Sequence, residues 1–214
     1  MRYLIAGALA CFLAAPAVAQ TAGPITSGGR VEARFGWDRG EFKQEVRDID
    51  FRVNEKNGKS GVVYGVEAGY DYVTDSSVLV GGYVGVEGSS VKDCETAPDG
   101  DRECLKFGRN FTVGARVGYV TSNGVVYLKG GYSNGQLKFT DDDPAFPDIR
   151  FRLKDNYGGF HLGAGGEVMV TNNVYGKLEY VFTNYSSDKF DDGISYAKFR
   201  PQRHQIVAGV GLRF

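Results

Sequence analysis

The sequence is poor in the residues that most chemistry requires. It has two histidines, His161 and His204, one tryptophan, two methionines and three cysteines in 214 residues. A histidine base oriented by a third group, as nucleophilic catalysis needs, has few candidates here. No zinc-ligand spacing, phosphate loop or dinucleotide fingerprint occurs in the strand-to-helix context such motifs require. The 25 basic and 26 acidic residues leave no cationic excess for nucleic acid. After the first fifteen residues, no stretch approaches the ~20 consecutive apolar residues of a membrane helix.

The N-terminus has the order of a secretory signal peptide. Arg2 is followed by an apolar run from Tyr3 to Ala15, then Pro16 and Ala17-Val18-Ala19. The run is too short for a transmembrane anchor, and cleavage is expected between Ala19 and Gln20. Residues 1–19 are thus assigned to the signal, 20–29 to a short N-terminal segment and 30–214 to one domain. Cys11 leaves with the signal. Cys94 and Cys104 remain in a polar segment, and an even pair in an exported chain reads as a disulfide.

What the chain has in quantity is glycine (31), tyrosine (13) and phenylalanine (14), set in a period of two. Eight segments alternate apolar with polar or glycine residues, near 30–38, 61–73, 78–88, 110–120, 125–134, 159–170, 174–183 and 203–214. Most have the ~9–11 residues of a tilted membrane-spanning strand. Their connections alternate in length. Residues 74–77, 121–124 and 171–173 are tight turns, whereas 39–60, 89–109, 135–158 and 184–202 are long and polar. This predicts an antiparallel up-and-down transmembrane β-barrel with short periplasmic turns and four long external loops.

Two patterns orient the wall with its apolar face outward. Aromatics on that face gather at the two strand ends, with Trp37, Phe111, Tyr132, Phe160, Tyr180 and Phe182 toward one rim. Tyr70, Tyr72, Tyr119 and Phe214 lie toward the other, as lipid-interface girdles do. The alternate face carries Glu32, Arg34, Glu67, Glu87, Arg116, Lys129, Glu167, Lys177 and Glu179 among glycines. Four basic against five acidic groups form a candidate lumen network, because buried charges must pair. Tyr83, Tyr127 and Tyr175 share that face and favour a plug over a channel.

The stretch from Thr171 to Tyr185 (TNNVYGKLEYVFTNY) resembles the penultimate strand of small bacterial surface-antigen barrels. These are the opacity-protein or OmpA-like "porin family" of alphaproteobacterial type. The ending from His204 to Phe214 (HQIVAGVGLRF) is similar to that family's last strand. The resemblance implies a cell outer membrane location in a Gram-negative bacterium and contact with outer-membrane lipid and lipopolysaccharide. It also implies that Ile206, Ala208, Val210, Leu212 and Phe214 form the signal read by the outer-membrane assembly machinery. Larger OmpA-type proteins carry a peptidoglycan-binding domain after the barrel. This sequence ends at Phe214, so the resemblance gives no warrant for expecting a cell-wall tether.

No catalytic residue, cofactor or metal ligand is assigned. His161 falls on the lumen face as an interior histidine. His204 near Ser186, Ser187 or Ser195 is the only imitation of a lipid-hydrolase set, and its spacing does not support one. Asp141, Asp142, Asp143 and Asp148, and Asp188, Asp191 and Asp192, are acidic loop clusters read as solvated charge. The expected role is structural, with adhesion or recognition of an external or host partner through the loops. The rivals are a narrow pore for ions or small solutes, and a soluble periplasmic barrel holding a ligand against an inward apolar face.

Overall fold

The computed structural model describes residues 25–47, 52–96, 102–142, 150–191 and 196–214. The expected signal peptide, its Ala19–Gln20 cleavage point and Asp143, Asp148, Asp192 and Ser195 lie outside the described residues. The described chain forms β1 (Gly28–Arg47), β2 (Arg52–Val73), β3 (Val78–Ser89), β4 (Lys92–Thr96) and β5 (Arg102–Val120). It continues with β6 (Gly124–Asp142), β7 (Arg150–Met169), β8 (Val174–Tyr185), β9 (Asp188–Asp191) and β10 (Tyr196–Arg213). Neighbours in the sheet run β1-β2-β3-β5-β6-β7-β8-β10, all antiparallel, and β10 pairs back onto β1. Eight strands therefore close a barrel with no free edge over the span of β3 and β8. The short β4 pairs β5, and β9 pairs β10.

The tight turns lie where the sequence puts them. In the first, the Thr74 amide donates to the Val78 carbonyl at 2.9 Å and the Ser77 amide to the Thr74 carbonyl at 3.0 Å. The opposite rim differs from expectation, because the segments 39–60 and 135–158 are largely continuous strand rather than loop. β1, β2, β5, β6, β7 and β10 run 18 to 22 residues. At about 2.6 Å of height per tilted residue they rise about 50 Å, roughly twice the ~25 Å apolar band of such barrels. Above the membrane both faces of a strand can meet polar surroundings. The apolar period then fades while the backbone ladder continues, which is why the sequence reads as loop there.

β3 and β8 stop after 12 residues. The wall above them divides into two tongues, β9-β10-β1-β2 and β4-β5-β6-β7.

The apolar face points outward. Val84, Val113, Leu128, Leu162, Leu178 and Val210 are exposed at mid-barrel, where only lipid can cover them. Trp37, Phe111, Tyr132, Phe160 and Tyr180 are exposed toward the long-hairpin rim, and Tyr70, Tyr72, Tyr119 and Phe214 toward the tight-turn rim. Ile206, Val210, Leu212 and Phe214 of the last strand are exposed on the same wall, with Ala208 half-buried between them. The inward-apolar arrangement of a soluble ligand-binding barrel is thereby corrected: apolar side chains are outside and charges inside.

Inward tyrosines are seated on glycines of the next strand. Tyr83 lies opposite Gly114, Tyr127 opposite Gly165 and Tyr175 opposite Gly211. A Cβ on Gly114 would sit 2.5 Å from the Tyr83 hydroxyl and 2.3 Å from the Gly130 carbonyl oxygen. The absent side chain leaves room for the ring in a lumen only wide enough for side chains.

Candidate functional site: the charged lumen and its roof

The nine charged residues assigned to the lumen are all buried, and the structure brings them into one network. Arg34 is its hub. It donates to Glu67 at 2.7 Å and Glu179 at 2.6 Å, and lies 3.2 Å from Glu87. Lys129 reaches Glu67 at 2.7 Å and Glu179 at 3.3 Å. Lys177 bridges Glu32 and Glu179. Tyrosines complete the carboxylates: Tyr127 donates to Glu179 at 2.7 Å and Tyr175 to Glu32 at 2.8 Å.

Five further members, Arg30, Asp38, Asp71, Arg203 and Arg213, lie outside the nine residues that the sequence assigned to the network. Toward the periplasmic end, Arg116 donates to Asp71 at 2.9 and 2.5 Å and also to Glu167. Arg213 meets the same two acids at 2.9 and 3.1 Å. Arg30 donates to Glu67 at 2.9 Å. Toward the outer end, Arg203 clamps Asp38 with two hydrogen bonds of 2.7 Å, and Asn110 and Gln205 donate to Glu87. The additions are three bases and two acids, so among the described residues the lumen holds seven of each sign and is formally neutral. Parity carried the signal: Arg30 precedes Glu32 by two residues, Asp71 follows Glu67 by four, and Arg203 and Arg213 share the face of Gln205.

Apolar groups close the network at both ends. Ile25, Leu79, Val125 and Tyr127 form a buried cluster at the periplasmic end, with Val73, Val120 and Met169 against it. The short N-terminal segment therefore contributes a plug residue. Val91, Phe107, Leu137 and Tyr185 form the outer roof, backed by Leu105 and Tyr157. Phe107 spans the lumen from β5 toward β1. A Cβ on Gly40 would fall 2.3 Å from its ring, and the Arg203 guanidinium lies 5.8 Å from the ring centroid. A register shift in β5 between Phe107 and Asn110 turns Phe107 inward. Between roof and plug, a void lined by Arg34, Lys129, Ser133 and His161 measures about 10 Å³, room for about one water.

His161 lies inside, its Nε2 bonded to the Tyr83 hydroxyl and its Nδ1 2.8 Å from the Ser133 hydroxyl. His204 is on the outer wall. It bonds to the Tyr180 hydroxyl at 2.7 Å and lies 3.9 Å from Glu41. Ser186 and Ser187 lie beyond the β8 ladder that places His204 opposite Phe182. Cys94 and Cys104 face each other across β4 and β5 and form a disulfide. Among the described residues no cluster of metal-ligating side chains occurs. The side chains of Asp141, Asp142, Asp188 and Asp191 are not described.

Known proteins agree with this architecture. The chain is 31% identical over 218 residues to the 31 kDa outer-membrane immunogenic protein of Brucella melitensis, covering 92% of this chain and 88% of that protein. It is 27% identical over 188 residues to the 22 kDa outer membrane protein of Rhizobium leguminosarum bv. viciae, covering 87% and 66% respectively. The structure of the outer membrane protease OmpT from Escherichia coli superposes with a TM-score of 0.50 at 11% identity, over 91% of this chain and 99% of that one. At that identity the likeness concerns fold alone. Residues 5–214 match the outer membrane protein beta-barrel domain, and with the filled lumen and lipid-facing wall described above, the chain belongs to that family of Gram-negative outer-membrane proteins.

Proposed function

We propose that the protein is a closed-lumen surface barrel whose work is done outside the membrane, by the two strand tongues and the segments at their tips. The observation that carries this reading is the filling of the lumen. Fourteen paired charges and three inward tyrosines occupy it, apolar closures stand at both ends, and the void beside His161 measures only about 10 Å³. A passage for solutes needs a continuous polar path, and the roof and plug interrupt it. Six strands meanwhile rise far beyond the aromatic girdle, which suits adhesion to or recognition of an external surface. The naming of the Brucella relatives as immunogenic suits exposure of the same region here.

On this reading the outward row Ile206, Ala208, Val210, Leu212 and Phe214 serves the assembly machinery. The test is surface display. A peptide tag inserted within 97–100, at the tip between β4 and β5, should be reached by antibody on intact cells. A tag detected only after the outer membrane is opened would overturn the orientation and the proposal with it.

A further inference from the structure

The tongue β4-β5-β6-β7 carries an arrangement that the barrel does not need. Lys92 lies opposite Lys106, Lys106 opposite Lys138, and Lys138 opposite Lys154. Residues directly opposite in antiparallel strands share a face. Four ammonium side chains therefore stand in one row across the tongue, about 4.8 Å per strand and about 14 Å from end to end. The face is the outer one, because Val91, Phe107 and Leu137, each adjacent in sequence to one of these lysines, are buried within the roof. Arg152 and Arg102 continue the same face above the row, two and four residues from Lys154 and Lys106.

No acid lies directly opposite any of the four lysines; Asp142, opposite Arg102 and Arg150, stands above the row. Asp93, Glu103 and Asp155 occupy alternate positions, and Asp93 is engaged by Lys59 of β2 at 2.9 Å. Among the described residues none of the four lysines has a carboxylate partner. Like charges placed directly opposite destabilise a sheet, so the row is a cost within the isolated chain. Such a local violation is expected where function requires it.

We propose that this row binds the phosphorylated sugar core of the lipopolysaccharide that surrounds the barrel in the outer leaflet. The row's height and direction select this occupant. Lys138 stands six residues above Tyr132, and Lys154 six above Phe160, in the aromatic girdle. That places them about 15 Å above the lipid interface, at the level of sugars rather than acyl chains. The lysines project sideways from the wall, toward neighbours in the leaflet, whereas a partner in the medium meets the tips. A line of four cations at strand spacing suits a row of phosphates. The inference rests on the reading above only for which rim is external.

The test uses the full-length barrel refolded in zwitterionic detergent and titrated with purified rough lipopolysaccharide, before and after enzymatic dephosphorylation, and separately with a heparin oligosaccharide. The variant is Lys106→Gln/Lys138→Gln/Lys154→Gln, with the corresponding triple Arg substitution as its charge-retaining counterpart. Heat-modifiability on gels establishes that each is folded. The wild type should bind the phosphorylated form, more weakly at higher salt. The Gln variant should lose at least about tenfold in affinity, the Arg variant should keep it, and without ligand the Gln variant should melt higher than the wild type. Undiminished binding by the Gln variant, equal binding of the dephosphorylated form, loss of binding by the Arg variant, or binding of heparin without lipopolysaccharide would each overturn the proposal. These outcomes are read on purified protein, so they are independent of the tag experiment on cells.

Discussion

Each charged side chain in the lumen is tolerable only because of its neighbours. A buried ion pair adds little net stability compared with apolar packing, but removing one partner strands the other at a cost of about 3–5 kcal/mol. Arg116 is shared between Asp71 and Glu167, and Glu179 receives Arg34, Lys129, Lys177 and Tyr127. Arg116→Met and Glu179→Gln should each lower the temperature at which the folded gel band is lost; no shift in either would count against the network. Glycine gives a second contrast at this scale. Gly114→Ala must displace the Gly130 carbonyl, whereas a Cβ on Gly176 meets nothing within 4 Å. The first change should destabilise by about 1–3 kcal/mol, and Gly176→Ala should be near neutral in the same denaturant titration. Strand parity made Glu32, Arg34, Glu67 and Glu179 legible as lumen residues without coordinates. It did not reveal Asp38 or Arg203, because at a strand end an inward charge and a solvated one look alike in sequence.

At the level of elements, legibility follows the solvent. Within the membrane, lipid on one side and a packed lumen on the other impose a strict alternation, and all eight spanning segments show it. Above the membrane that constraint is gone, so β1 from Arg39 and β6 from Gly135 continue as strands through sequence that reads as loop. The inward turn of Phe107 was hidden as well, since the irregularity in β5 reverses parity between Asn110 and Phe107. The disulfide was legible from its even count and polar setting, but its place in a direct cross-strand pair was not. Closing so short a loop limits the open hairpin by about 3 kcal/mol in the chain-entropy picture. Reduction should therefore speed amide exchange in β4 and the upper part of β5, leaving β3 and β8 protected. Equal loss of protection throughout the barrel would mean that the hairpin and the wall open as one unit.

For the whole molecule, closure and neutrality belong together. A barrel of eight strands has an interior only as wide as its side chains, and here, among the described residues, seven bases and seven acids fill it without net charge. Apolar groups seal it above and below, so the charges are removed from water and from the ions that would otherwise compete for them. On the proposed function the work falls to the exterior, where the tongues carry the exposed cations. The most direct test is electrical. The full-length protein, refolded and inserted in a planar bilayer at moderate salt, should show no stable conductance steps across the physiological voltage range. Reproducible open steps from the folded, heat-modifiable form would mean a continuous water path through the lumen and would contradict the sealed barrel.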